Sequence, residues 1–209
     1  MTQVQQLITA IEQATSPNTL VQAVWNLANA QDLAAIPTLI EVLGYNNPGA
    51  AVAAVEGLVK LGERAVPILL ENIDGYDYGA RAWANRALAR IGDPRALEML
   101  LEAASQDFAL SVRRAAAKGL GGIQWEKLPP EEQQTAQERT LTTLAQILAK
   151  DEEWVVRYAA VVGLEGLGQQ QGQFRERILE ILRSHLSQES ELAVRARIQW
   201  AQQKQPTLN

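Results

Sequence analysis

The residues best suited to chemistry lie near the middle of the chain, in Gly75-Tyr76-Asp77-Tyr78-Gly79-Ala80-Arg81-Ala82-Trp83. Two phenol hydroxyls and a carboxylate are competent for hydrogen bonding and proton transfer, and the glycines permit close approach of a ligand. The same residues have plainer uses: Asp77 can cap the following helix, Tyr76 or Tyr78 can plug a gap between repeats, and Trp83 can be core. A second set is basic. Arg86, Arg114 and Lys118 share one helical stripe with Trp25, Tyr158 and Trp200, which suits a flat, anionic, partly apolar ligand or, more simply, a solvated face carrying a few aromatics. The chain has no cysteine, which excludes disulfides, a thiolate nucleophile and thiolate metal sites. His185 is the sole histidine, so neither a histidine metal cluster nor a Ser/His/Asp triad can be assembled, and no Gly-rich phosphate loop occurs. No metal is expected.

These residues are positioned by a repeat. Val112-Arg113-Arg114-Ala115-Ala116-Ala117, Val156-Arg157-Tyr158-Ala159-Ala160 and Val194-Arg195-Ala196-Arg197 are versions of one pattern. Its register points are Leu20, Ala51, Arg81, Arg113, Arg157 and Arg195, giving successive units of 31, 30, 32, 44 and 38 residues. A period of this length, filled with helix formers, predicts an all-α fold, an α-solenoid of about six helix-turn-helix repeats. Proline in the early turns at Ile36-Pro37 and Val66-Pro67 marks helix starts. Gly44, Gly62, Gly92 and Gly168 are expected to close helices in the left-handed conformation. Asp107, Asp151 and Glu189 precede Arg113, Arg157 and Arg195 by six residues, in the predicted inter-helix turn. There an acid can cap the second helix and meet an arginine of its own or the next repeat. This arrangement of Pro, Asp and Val-Arg resembles the HEAT-like repeat, and it assigns Arg81, Arg113, Arg157 and Arg195 to architecture. Function is then sought where units differ.

Counted from each register point, positions +3 and +7 of the second helix are expected to pack, and +1, +5 and +8 to form one exposed stripe. The segment Gly121 to Pro130 lengthens one unit, an insertion near 121–135 read as spacer, curvature device or protein contact, with Pro129-Pro130 stopping one helix and starting the next. Across 209 residues without long linkers, a single repeat domain over 1–209 is expected. Apolar residues make up 47%, mostly Ala and Leu, and aromatics only 5%, which suits closely stacked helices. A net charge of −5 argues against a nucleic-acid partner. With no apolar span of membrane length and no signal-peptide pattern, the expectation is a cytoplasmic protein without membrane insertion.

The run from Tyr76 to Leu97, continuing through Asp107-Phe108-Ala109-Leu110-Ser111-Val112-Arg113-Arg114-Ala115-Ala116 to Gly119-Leu120-Gly121, goes beyond what repeat packing demands. It resembles the F subunits of the E/F-type phycobilin lyases, and more narrowly those serving the phycocyanin α subunit. The resemblance implies an enzyme that joins a cysteine thiol of an apo-phycobiliprotein to the ethylidene group of an open-chain tetrapyrrole, forming a thioether. Phycocyanobilin would be substrate, no cofactor would be required, and the working form would be a heterodimer with a related E-type subunit. Isomerising relatives carry an Asn-His-Cys-containing motif; with no cysteine here, simple addition is expected.

For such a ligand, Arg86, Arg114 and Lys118 are expected to hold the propionates, and Tyr78, Trp83 and Tyr158 to pack on the conjugated rings. Asp77 is the candidate catalytic residue, hydrogen-bonding the pyrrole N–H groups and keeping the chromophore protonated. Trp25 and Trp200 are candidates for partner contacts. The alternative is a non-enzymatic HEAT-like scaffold or chaperone that binds phycobiliproteins through the same groove.

Overall fold

The computed structural model describes residues 1–72 and 77–204, and among them it is all helical, with twelve α-helices and no strand. The chain divides into two compact units, Met1–Ile91 and Gly92–Asn209. In the first unit the helices are α1 (Gln3–Glu12), α2 (Pro17–Ala30), α3 (Ile36–Val42), α4 (Pro48–Leu61), α5 (Val66–Glu71) and α6 (Tyr78–Ile91). The second unit holds α7 (Leu97–Gln106), α8 (Leu110–Leu120), α9 (Pro130–Lys150), α10 (Trp154–Gln170), α11 (Arg175–Leu186) and α12 (Leu192–Lys204). Each unit is three successive helix pairs. Within a unit, second helices pack on second helices, α2 with α4 and α4 with α6, then α8 with α10 and α10 with α12. This is the stacking of an α-solenoid.

The repeat register has a direct structural meaning. Leu20, Ala51, Arg81, Arg113, Arg157 and Arg195 are each the fourth residue of a second helix. The +3 and +7 positions are buried as pairs: Ala23 and Leu27, Ala54 and Leu58, Ala84 and Leu88, Ala116 and Leu120, Ala160 and Leu164. Alternating small and large side chains lets neighbouring helices interdigitate. In α12, Ile198 is buried and Gln202 is half-buried.

Helix ends follow local chemistry, with corrections. Pro37 and Pro67 are the second residues of α3 and α5, where a missing N–H breaks no helix bond. Although Gly62, with ψ −139°, lies outside the left-handed helical region itself, it and Gly92 take the positive φ expected of helix-ending glycines, +64° and +69°. Gly44 and Gly168 do not. Gly44 lies in the turn after α3 without positive φ, and Gly168 is buried inside α10, which continues to Gln170 as Leu164 and Leu167 extend its packed face. A different glycine use replaces theirs. A Cβ on Gly163 would lie 2.5 Å from the Ala117 carbonyl, and one on Gly166 would lie 2.5 Å from that of Gly121, so these positions allow α10 to approach α8 closely. The lengthened unit is packed rather than looped. Ile123 and Trp125 are buried, the Gln124 N–H donates to the Gly92 carbonyl at 2.8 Å, and α9 then runs for 21 residues from Pro130. The preceding helix stops at Leu120, well before the proline pair.

Candidate functional site

The prominent arginines of the second unit form a ladder. Arg113 donates to Asp151 at 2.8 and 3.2 Å, and Arg157 to Glu189 at 2.8 and 2.9 Å. Each also donates Nη1 to the backbone of its own repeat's turn, Arg113 to the Asp107 carbonyl and Arg157 to that of Asp151, both at 2.9 Å. Arg195 does the same with the Glu189 carbonyl at 2.9 Å. The acid side chain therefore meets the arginine of the preceding repeat, correcting the expectation of its own or the next. Nor does it cap the helix: Asp107, Asp151 and Glu189 accept instead from the N–H two residues on, closing the turn. Arg157 above all, with the Glu191 N–H and His185, holds the Glu189 carboxyl down at about 2 against the opposing effect of burial. These groups are occupied by architecture and leave function to the others.

In the first unit the candidate residues lie on α6 and just before it. Gly75 and Tyr76 lie outside the described residues. Asp77 Oδ1 accepts from the Ala80 N–H at 2.9 Å, a helix cap. Its carboxylate borders a cleft of ≈ 500 Å³ with Pro37, Ile40, Glu41, Gly44, Ile68, Asn72 and Ala80. Tyr78 opens the helix with an exposed ring. Trp83 is half-buried and carries the exposed Arg86 guanidinium 5.2 Å from its ring centroid, so these two form one cation–π element. One turn on, Arg90 pairs with Glu56 and holds that carboxyl below its ordinary range.

In the second unit Arg114 and Lys118 project one turn apart from α8, both exposed. Neither has an ion-pair partner among the described residues. Tyr158, partly exposed, holds the same +1 position on α10, the helix packed against α8. Beneath it lies a cluster that spacing alone did not reveal. Arg197 sits 6.0 Å from the Tyr158 ring centroid and pairs with Glu165, whose other oxygen accepts from Gln169 at 3.0 Å. Glu165 is buried at +8, as are Ala28 and Gly121, whereas Val59 and Ala89 are half-buried and Gln203 is exposed, so the stripe turns inward at +8 in three of the six repeats. The small residues at that position in other repeats, Ala28 and Gly121, were the available signal. Trp25 is half-buried, whereas Trp200 is exposed with the Lys204 amine 5.0 Å from its ring.

The second unit also has a groove of ≈ 760 Å³ between α7 and α9, edged by the Glu98–Arg139 pair, Glu138 and Glu102, in which the lining cation, Arg139, is already paired. Among the described residues no group of three or more His, Cys, Asp or Glu could hold a metal ion, and no helix is long and apolar enough to cross a membrane. What the two units present is arginine and lysine beside aromatic rings.

The family model for HEAT repeats matches residues 4–89 and 66–165. The "Phycocyanin alpha phycocyanobilin lyase CpcF" of Synechocystis sp. is 54% identical over 95% of this chain and 92% of its own length. The "Phycocyanobilin lyase subunit beta" of Nostoc sp. is 53% identical over 94% of this chain and 98% of its own. Among solved structures, that of the complex of CpcE and CpcF of phycocyanin lyase from Nostoc sp. matches with a TM-score of 0.78 at 56% identity, covering 82% of this chain and 99% of the matched one. Identity of this order, spread over nearly the whole length of the relatives, makes this chain a member of the HEAT-repeat F, or beta, subunit family of the phycocyanobilin lyases.

Proposed function

We propose that this chain is one subunit of a heterodimeric lyase that attaches phycocyanobilin through a thioether to a cysteine of the phycocyanin α subunit, in the cytoplasm and together with a related E-type subunit. The sulfur of the acceptor adds to the ethylidene carbon of the bilin, and the thiol proton passes to the tetrapyrrole. This chain has no cysteine, so the nucleophile belongs to the acceptor and the residues here bind, orient and polarise.

The observation that carries the reading is the exposed pair Arg114 and Lys118 on α8 beside Tyr158 on α10. Seven other arginines are committed to acids: Arg90, Arg95, Arg113, Arg139, Arg157, Arg177 and Arg197. Two exposed cations one turn apart without an acid partner among the described residues, on the stripe that also carries Tyr158, suit a propionate and the conjugated ring that bears it. We assign Arg114 and Lys118 to a propionate and Tyr158 to ring packing. The first unit, taken by itself, offers a ring and a cation suited to the same ligand class in the Trp83–Arg86 element, with Tyr78 as a further ring. Asp77 is assigned to the pyrrole N–H groups, where a carboxylate favours the protonated, more electrophilic chromophore.

Co-production of this chain, its E-type partner, the enzymes of bilin synthesis and the apo-phycocyanin α subunit tests the assignment by covalent fluorescence. Omitting this chain abolishes the signal if the lyase reading holds. An undiminished signal sinks it, while binding of the phycobiliprotein without chromophore transfer gives the chain to a scaffold role. In the same system Arg114→Ala with Lys118→Ala weakens the bilin absorbance titration; an unchanged titration removes both from the site.

A further inference from the structure

The first residue of each second helix lies four before position +1 and eight before +5, so −3, +1 and +5 share one stripe. In the second unit the −3 residues are Leu110, Trp154 and Leu192, exposed by 42, 43 and 77%. Phe108, in the turn before α8, is 76% exposed. Four large apolar side chains at one end of neighbouring stacked helices are more than the scattered apolar exposure of an ordinary surface. The row is also held in place, because the turns that bear it are joined by the Arg113–Asp151 and Arg157–Glu189 pairs. In the first unit the corresponding residues are Pro17, Pro48 and Tyr78, a single exposed ring rather than a row.

We propose that Leu110, Trp154 and Leu192 form the docking surface for the acceptor phycobiliprotein subunit, which meets them through an apolar segment carrying basic side chains. The proposal rests on the lyase reading of the stripe. Arg114, Lys118 and Tyr158 lie one and two helical turns along the same stripe, within about 12 Å of the row at a rise of ~1.5 Å per residue. A thiol must come within bonding distance of a bilin held there, so the protein bearing it covers the row; the E-type subunit is under no such requirement. Charge supports the same occupant chemistry. The exposed carboxylates of Glu152 and Glu153 immediately precede Trp154, and Glu191 precedes Leu192, which favours Lys or Arg opposite them.

The test uses the two-subunit complex. Calorimetric titration with apo-phycocyanin α subunit is compared for wild type, for Trp154→Ser with Leu192→Ser, and for Glu152→Lys with Glu153→Lys. The serine pair is expected to weaken acceptor binding roughly tenfold or more, with the bilin titration and the subunit stoichiometry unchanged. The lysine pair weakens it as well and reduces its salt dependence. Unchanged acceptor affinity in both variants overturns the proposal. Loss of the E-type subunit from the serine variant overturns it too, giving the row to that partner. A wild-type complex that binds the acceptor through this row but transfers no bilin upholds the surface and overturns the lyase reading. Absence of any acceptor binding by the wild type removes both.

Discussion

In the first unit, α2 and α4 begin at Pro17 and Pro48 behind side-chain caps, Ser16 accepting from the Thr19 N–H at 3.2 Å and Asn47 from that of Ala50 at 3.1 Å. In the second, α8 and α10 begin at Leu110 and Trp154 with no side-chain cap and rely on arginine–acid pairs that reach the neighbouring repeat. The same architectural problem, fixing where the second helix starts, is solved locally in one region and between repeats in the other. The local solution places proline at the exposed first position. The ladder leaves that position to large apolar side chains in all three second helices of the second unit, whereas in the first only α6, capped by Asp77, opens with one, Tyr78.

The contrast is sharpest in energy. Arg157→Ala leaves Glu189, only 5% exposed, without its guanidinium partner, and removing one member of a buried pair costs about 3–5 kcal/mol. Urea unfolding of the variant is expected to lose that amount. A loss no greater than that from removing a side-chain cap in the first unit would erase the distinction between the two solutions.

Acid separates them next. Glu189 in the folded protein titrates at about 2 against an ordinary value of 4.5, so the unfolded chain takes up the proton first. The pair's contribution is complete above about pH 4.5 and disappears as the pH falls towards 2, on the order of 3 kcal/mol in all. Stability curves of wild type and Glu189→Gln are therefore expected to converge between these limits. Parallel curves would show that the carboxylate is not the source of the ladder's strength.

A smaller effect concerns close approach. Gly163→Ala would drive a methyl group against the Ala117 carbonyl and the Leu144 side chain, and overpacking of this kind costs about 1–3 kcal/mol. Gly172→Ala, where nothing lies within 4 Å of the added carbon, is the neutral control in the same unit. Equal melting temperatures for the two variants would mean that α8 and α10 can move apart freely.

What could be read from the sequence divides along the same physical line. Spacing within a helix fixed the register, the buried +3 and +7 pairs and the exposure of Arg86, Arg114, Lys118 and Tyr158, because a 3.6-residue period determines which side chains share a face. It did not say which neighbour an acid would meet, since separation along the chain does not order the turns in space. Gly168 misled because glycine serves close packing as readily as helix ending, and Gly163 shows the first use. Glu165 misled because a buried acid looks like a surface one until its partner, Arg197, is placed beside it.

The smallest effect tests whether the first unit's solution is local at all. Asn47 caps α4 through Oδ1, but its Nδ2 also donates to the Pro17 carbonyl of the preceding repeat at 3.3 Å, a faint counterpart of the ladder. Asn47→Ala removes both bonds and is expected to cost about 1 kcal/mol, the ordinary worth of a cap. Asn47→Asp keeps the acceptor for Ala50 while turning an oxygen towards the Pro17 carbonyl, so the two roles separate. If the cap dominates, the aspartate variant melts above the alanine variant and close to wild type. If it melts below the alanine variant, the contact between repeats contributes more than the cap, and the first unit is held by the same principle as the second in a weaker, uncharged form.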